Sequence, residues 1–204
     1  MVAGVVHLTA PTAQILPLKA FRADGTGYNS DIIRAIYYAI QQNASVINMS
    51  FNLAGYSQEV KNAINVATLS SIVSVAAAGN AGNDTPLYPA SYPGVMSVAS
   101  TTNGDQLSSF SSYGDTVWVG APGEGVVTTY PYGTYAAAWG TSFSAPFVSG
   151  TVALMRGMQL FTGQGQSAQA VAHADHVSAP VGNGRLDVLS AIQAWSQTIG
   201  LPLL

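Results

Sequence analysis

Residues 140–150 read Gly-Thr-Ser-Phe-Ser-Ala-Pro-Phe-Val-Ser-Gly, and this stretch constrains the fold more tightly than any other. A turn of small residues runs directly into an apolar segment, 148–158, with helical periodicity and two small residues, Gly150 and Ala153, that allow close packing. Ser142 therefore falls at or near a helix N-terminus, where free N–H groups and the positive end of the helix dipole stabilise negative charge. Pro146 is expected in the first turn, where its missing N–H costs nothing. A serine so placed can act as a nucleophile whose developing oxyanion is met by backbone donors. The plainer alternative is that Thr141 or Ser142 simply caps a buried helix. Small residues around Ser142 leave room for a substrate backbone to approach.

The string Gly140-Thr141-Ser142-x-Ser144-Ala145-Pro146-x-Val148-Ser149-Gly150 resembles the nucleophile motif of the subtilisin-like serine proteases, the subtilases. Trp139 stands where a small polar residue is usual in that family, and Phe147 where His is frequent. A second match lies upstream. Residues 76–83, Ala-Ala-Ala-Gly-Asn-Ala-Gly-Asn, resemble the family's oxyanion-hole segment, with Asn80 as the side-chain donor at the end of a strand. The alternative for Asn80 is a turn asparagine in the left-handed region.

The chain has 204 residues, enough for one domain with a sizeable core. Only 7% of them are charged, against roughly 25% in an average soluble protein, so Ser, Thr, Asn, Gln, Gly and Tyr must build the surface. Six Lys and Arg residues and a net charge of −3 leave no electrostatic footprint for nucleic acid. Gly, Ser, Asn and Thr interrupt every apolar run, so no membrane span is expected. With no cysteine, disulfides and thiolate metal sites are excluded. No cofactor is expected. The low charge and small polar residues agree with an extracellular, secreted hydrolase.

Strands alternate with helices, and each strand is apolar throughout, which implies a parallel sheet covered on both faces. The expected strands are 15–21, 46–50, 72–77, 95–100 and 117–121, followed by a hairpin over 126–135 that turns at Pro131-Tyr132-Gly133. Pro17 places the first of these where at least one side is not hydrogen-bonded. Ser30 is expected to cap a helix over 31–41 with Ile32, Ile33, Ile36, Tyr37 and Ile40 on one stripe. A second helix, 57–70, turns Val60, Ala63, Ile64 and Ala67 inward, and a terminal helix covers 189–195.

The resemblance implies a three-layer α/β/α sandwich with a mainly parallel sheet, subtilisin-like and N-terminally truncated, in which residues 1–204 are one incomplete catalytic domain. It implies a serine-type endopeptidase acting on peptide or protein substrates, with Ser142 as nucleophile and Asn80 as oxyanion donor. Substrate contacts carried over are Gly27, Tyr28 and Asn29 for the P4 side chain, and Ser50, Phe51 and Asn52 as the pairing edge. Ala78, Gly79, Leu87 and Thr141 complete the set, Leu87 in a Pro/Tyr loop that resembles the wall of the S1 pocket. Asn52 and Leu87 both stand where the family often has Gly. The short join from Gly4 to Pro11 offers neither room nor carboxylate for the family's calcium loop, so no metal site is expected.

Met1-Val2-Ala3-Gly4 resembles the last four positions of the family's His-Gly-Thr-x-Val-Ala-Gly string, so the expected general base lies three residues before Met1. The family's Asp lies further upstream still, on a strand between those matching 15–21 and 46–50. The chain alone is therefore expected to be inactive, with the N-terminal segment of the same protein as a candidate partner. A pseudoprotease or peptide-binding module is the alternative. His7 reads as a surface histidine. His173, Asp175 and His176 have ligand or base chemistry, but their spacing confines them to one loop.

Overall fold

The structure, a computed structural model, describes residues 1–158 and 163–200. Its centre is a four-stranded sheet of β1 (Val46–Met49), β2 (Val73–Ala77), β3 (Val95–Thr101) and β4 (Val117–Pro122), in that spatial order and parallel throughout. Every residue of β2 and β3 is buried, as a sheet covered on both faces requires.

Alternation along the strands sorts the two flanking layers. Val73, Val75 and Ala77 of β2, with Met96 and Val98 of β3, pack against Ala145, Val148, Val152 and Met155 of α4 (Thr141–Met158). Trp195, from a C-terminal helix (Val188–Ile199), completes that core and is fully buried. On the other face Met49 and Ala76 meet Ile32 and Ile36 of α2 (Asn29–Gln41) and Val60, Ala63 and Ile64 of α3 (Gln58–Leu69). The N-terminal helix α1 (Val2–Thr9) crosses α4 at Gly150, where an added Cβ would stand 2.6 Å from Cβ of Thr9. The last helices are α5 (Gln164–Val171) and α6, the Val188–Ile199 helix that carries Trp195.

The second expected helix starts one residue later, at Gln58, with Ser57 as its N-cap accepting from the N–H of Val60 at 3.3 Å. Asp187 does the same for α6, accepting from the N–H of Ser190 at 3.1 Å. The hairpin forms from β5 (Val126–Tyr130) and β6 (Thr134–Ala138) around the expected Pro-Tyr-Gly turn, and extends three residues further than its pattern suggested.

Three expectations need correction. Residues 15–21 do not form a strand: they run without sheet partners, and Ile15 and Leu16 are 44% and 42% exposed. A strand needs a neighbour to take its hydrogen bonds, and among the described residues none lies alongside. Accordingly β1 pairs only with β2, and Val46, Ile47 and Asn48 are half-buried rather than interior. Second, α2 begins at Asn29 with Tyr28 at its N-cap and no side-chain cap, so Ser30 lies inside the first turn; Tyr37 faces out, and the buried stripe is Ile32, Ile36 and Ala39. Third, α4 begins at Thr141, which puts Pro146 in the second turn and not the first.

Candidate active site

The parallel strands β1 and β2 end side by side, and their C-terminal loops meet the N-terminus of α4. Ligand crevices in open α/β sheets form at such ends. Ser50 leaves β1, Asn80 follows β2, and Thr141 and Ser142 open α4.

Asn80 is not in the left-handed region. Its Oδ1 accepts from the backbone N–H of Thr141 at 2.9 Å and from the Thr141 hydroxyl at 3.0 Å. A backbone N–H can only donate, so the atom it meets must be the amide oxygen. This orients the carboxamide, leaving Nδ2 as its outward end. Among the described residues Nδ2 has no hydrogen-bond partner, and it lies beside Gly140: a Cβ built there would approach it to 3.3 Å. Gly140 has φ +132°, a conformation that L side chains rarely adopt. Thr141 also ties in the neighbouring peptide, its Oγ1 accepting from the N–H of Gly79 at 3.2 Å.

Ser142 is half-buried at the second position of α4. Its N–H is one of the helix's unsatisfied donors and points, with the dipole, toward the helix N-terminal end. Its hydroxyl donates to the backbone carbonyl of Ser50 at 3.3 Å, while the hydroxyl of Ser50 donates to the backbone carbonyl of Ser142 at 2.9 Å. The two serines thus grip one another in both directions.

Asn52, Gly79 and Leu87 form a second group, whereas Ala78 is buried against Ala99, Val117 and Val181. A Cβ on Gly79 would collide with Cδ1 of Leu87 and stand 3.0 Å from Oγ of Ser112 and 3.5 Å from Nδ2 of Asn52. The space over Gly79 is therefore already filled by Leu87. The third group joins through Phe21, whose ring sits 4.9 Å from that of Phe51. The loop at Gly27 leans on the same ring, with an added Cβ only 2.9 Å from Cδ1 of Phe21. Tyr28 and Asn29 follow it at the surface, Tyr28 under the Arg22 guanidinium at 4.6 Å.

The remaining candidates lie apart. His7, His173 and His176 are exposed, and Asp175 is paired with Arg185, which also bonds Asp105 at 2.7 Å. Among the described residues no group of three or more His, Cys, Asp or Glu is placed to hold a metal ion. No helix among them is long and apolar enough to cross a membrane. The sequence reading missed the mutual grip of Ser50 and Ser142. Its one legible signal was a proline four residues after Ser142.

The family model described as "Subtilase family" matches residues 2–180. The chain belongs to the subtilases. Among curated relatives, this subtilase is 41% identical over 163 residues to thermitase of Thermoactinomyces vulgaris, covering 80% of this chain and 56% of the relative. It is 41% identical over 150 residues to subtilisin E of Bacillus subtilis, covering 72% of this chain and 39% of the relative. The subtilase chain thus spans about half or less of these relatives' length. A solved lanthipeptide protease shares the fold at TM-score 0.85 over 94% of this chain and 73% of its own, with 23% identity. The prenylagaramide maturation protease PagA superposes at TM-score 0.79 with 26% identity, over 89% of this chain and 72% of its own.

Proposed function

We propose that this subtilase is a serine endopeptidase that cleaves peptide or protein substrates by acyl transfer through Ser142. The orientation of Asn80 carries the reading. With Oδ1 held by Thr141, the free Nδ2 and the Ser142 N–H flank Gly140, and a tetrahedral oxyanion seated between them would meet two donors already in place. Oγ of Ser142 attacks the scissile carbonyl carbon while its proton passes to a base. The C–N bond then breaks as the amine leaves with a proton, and water releases the acyl group.

The substrate adds as a strand along Ser50, Phe51 and Asn52, with the Gly27-Tyr28-Asn29 loop reaching its P4 side chain. Gly79 floors the P1 site, and Leu87 shortens it, so the preferred P1 residue is apolar and modest in size.

A backbone carbonyl cannot take the proton of the Ser142 hydroxyl. In this reading the base comes from another segment of the same protein, the family's His just ahead of α1 and its Asp on a strand along the open edge of β1, and the 204 residues alone turn over very slowly. An extracellular site of action is part of this reading, and the low charge density agrees with it. The same hydroxyl-to-carbonyl bond also favours a second reading, a pseudoprotease that binds peptides without cleaving them. Mass spectrometry of a peptide library incubated with the protein as its source organism makes it separates the two. Cleavage that disappears in Ser142→Ala supports the endopeptidase, and retention of intact peptides supports the binding module.

A further inference from the structure

Pro146 opens a vacancy in the backbone of the nucleophile helix. In an α-helix the carbonyl of residue 142 receives the N–H of residue 146, and proline has none. The carbonyl of Ser142 is instead served from outside the helix, by the Ser50 hydroxyl at 2.9 Å. That hydroxyl has one proton, and what it does with it depends on Asn48. Nδ2 of Asn48 donates to Oγ of Ser50 at 2.9 Å, and Oδ1 of Asn48 accepts from Oγ of Ser149 at 2.9 Å. Ser149 is buried on α4, two turns beyond Ser142. The chain runs Ser149 to Asn48 to Ser50 to the Ser142 carbonyl, each group donating to the next.

Only one direction of this relay works. Were the Asn48 amide reversed, Oδ1 would face Ser50 and compete for its proton, leaving the carbonyl of Ser142 without a donor. The carbonyl of Ser142, which can only accept, fixes the direction: it takes the one proton of the Ser50 hydroxyl, so Asn48 must offer Nδ2 there, and its Oδ1 then takes the proton of Ser149. We propose that Asn48 is a positioning residue for the nucleophile: through Ser50 it supplies the carbonyl of Ser142 with the hydrogen bond that Pro146 cannot. Asn48 touches neither substrate nor the reacting atoms. The inference rests on Ser142 being the nucleophile of the proposed protease.

The test combines two readouts. In the 204-residue chain, the 13C resonance of the Ser142 carbonyl reports its hydrogen bond directly. Ser50→Ala and Asn48→Asp should both move it, since an aspartate at 48 can only accept from Ser50 and would draw its proton away. Pro146→Ala restores the helical N–H donor and should make that resonance insensitive to Ser50→Ala. In the protein as its source organism makes it, Ser50→Ala and Asn48→Asp should each lower kcat about tenfold with KM within about twofold, the scale of one lost hydrogen bond. Ser50→Thr, which keeps the hydroxyl, should restore the rate, and Pro146→Ala should suppress the defect of Ser50→Ala. A Ser142 carbonyl resonance unmoved by Asn48→Asp overturns the proposal, as does a Ser50→Ala defect that Pro146→Ala leaves unchanged. An unmutated protein that cleaves nothing, with the resonance shifts as expected, sinks the protease reading and leaves the positioning relay standing.

Discussion

Thr141 holds the amide oxygen of Asn80 at two points, its backbone N–H at 2.9 Å and its hydroxyl at 3.0 Å. Removing Asn80 as a donor, by Asn80→Leu, should lower kcat of the active protein and leave KM little changed. The known loss for the oxyanion asparagine of subtilisin, a member of this family, sets the scale at about 10²–10³-fold. Thr141→Val keeps the N–H contact and removes only the hydroxyl, so its loss should be smaller, about tenfold. Steady-state kinetics on one peptide amide checks both. Equal losses from the two variants would mean that Thr141 does more than orient Asn80.

The side chain of Leu87 occupies the space over Gly79. Leu87→Gly should deepen the P1 site and shift preference from Ala or Val toward Phe and Tyr, by about tenfold or more in relative kcat/KM for each buried group the size of a benzyl ring. Profiling with a P1 library measures it. A wild-type preference for Lys or Arg would contradict the reading outright, because no charged side chain is placed in this group.

The strings around Ser142 and Asn80 were legible as family motifs because each is a run of particular residue types, and the strands because burial on both faces keeps them largely apolar. Residues 15–21 were not legible as unpaired chain. Their pattern fits a strand, but a strand is a property of two segments, and the partner is not among the described residues. The Ser149–Asn48–Ser50–Ser142 relay was hidden for a similar reason: it joins residues up to 101 positions apart, and no local pattern announces such a contact. Pro146 was placed one turn too early because the helix was read from its apolar run and not from its cap.

Close contact between α1 and α4 depends on the missing side chain at Gly150. Gly150→Ala should destabilise the fold by about 1–3 kcal/mol, because its methyl group would press on Cβ of Thr9. Thr9→Ser, which removes the γ-methyl but not Cβ, should relieve only part of the loss. Urea denaturation of both variants and the double variant gives the coupling, and a neutral Gly150→Ala would refute the packing described.

The carboxylate of Asp187 is held below the ordinary aspartate range, first by the Ser190 hydroxyl and then by the Ser190 N–H. A lowered folded value means that its contribution is complete above the ordinary range and fades as pH falls through the lower one. Asp187→Ala should therefore cost about 1 kcal/mol near neutral pH, the worth of a helix cap, and progressively less under acid conditions. Thermal melts across that interval follow the difference. A penalty that grows toward low pH would have the wrong sign.

An open strand edge at β1 limits the stability of the 204-residue chain taken alone. Unpaired N–H and C=O groups cost on the order of 1–3 kcal/mol each where they are kept from water, against about 5–15 kcal/mol for a whole domain. A melting temperature below about 60 °C is expected, that being near the upper end for mesophile domains. Calorimetry showing one sharp, reversible transition well above it would argue that the edge is satisfied in some other way.

The central claim is that Ser142 is a nucleophile whose base lies outside these 204 residues, and intact-protein mass spectrometry with a fluorophosphonate tests it most directly. The protein as its source organism makes it should gain one adduct, located on Ser142 and abolished by Ser142→Ala, while the 204-residue chain should label far more slowly. Rapid, stoichiometric labelling of the 204-residue chain, or an active protein whose adduct lies on any other residue, would contradict the account.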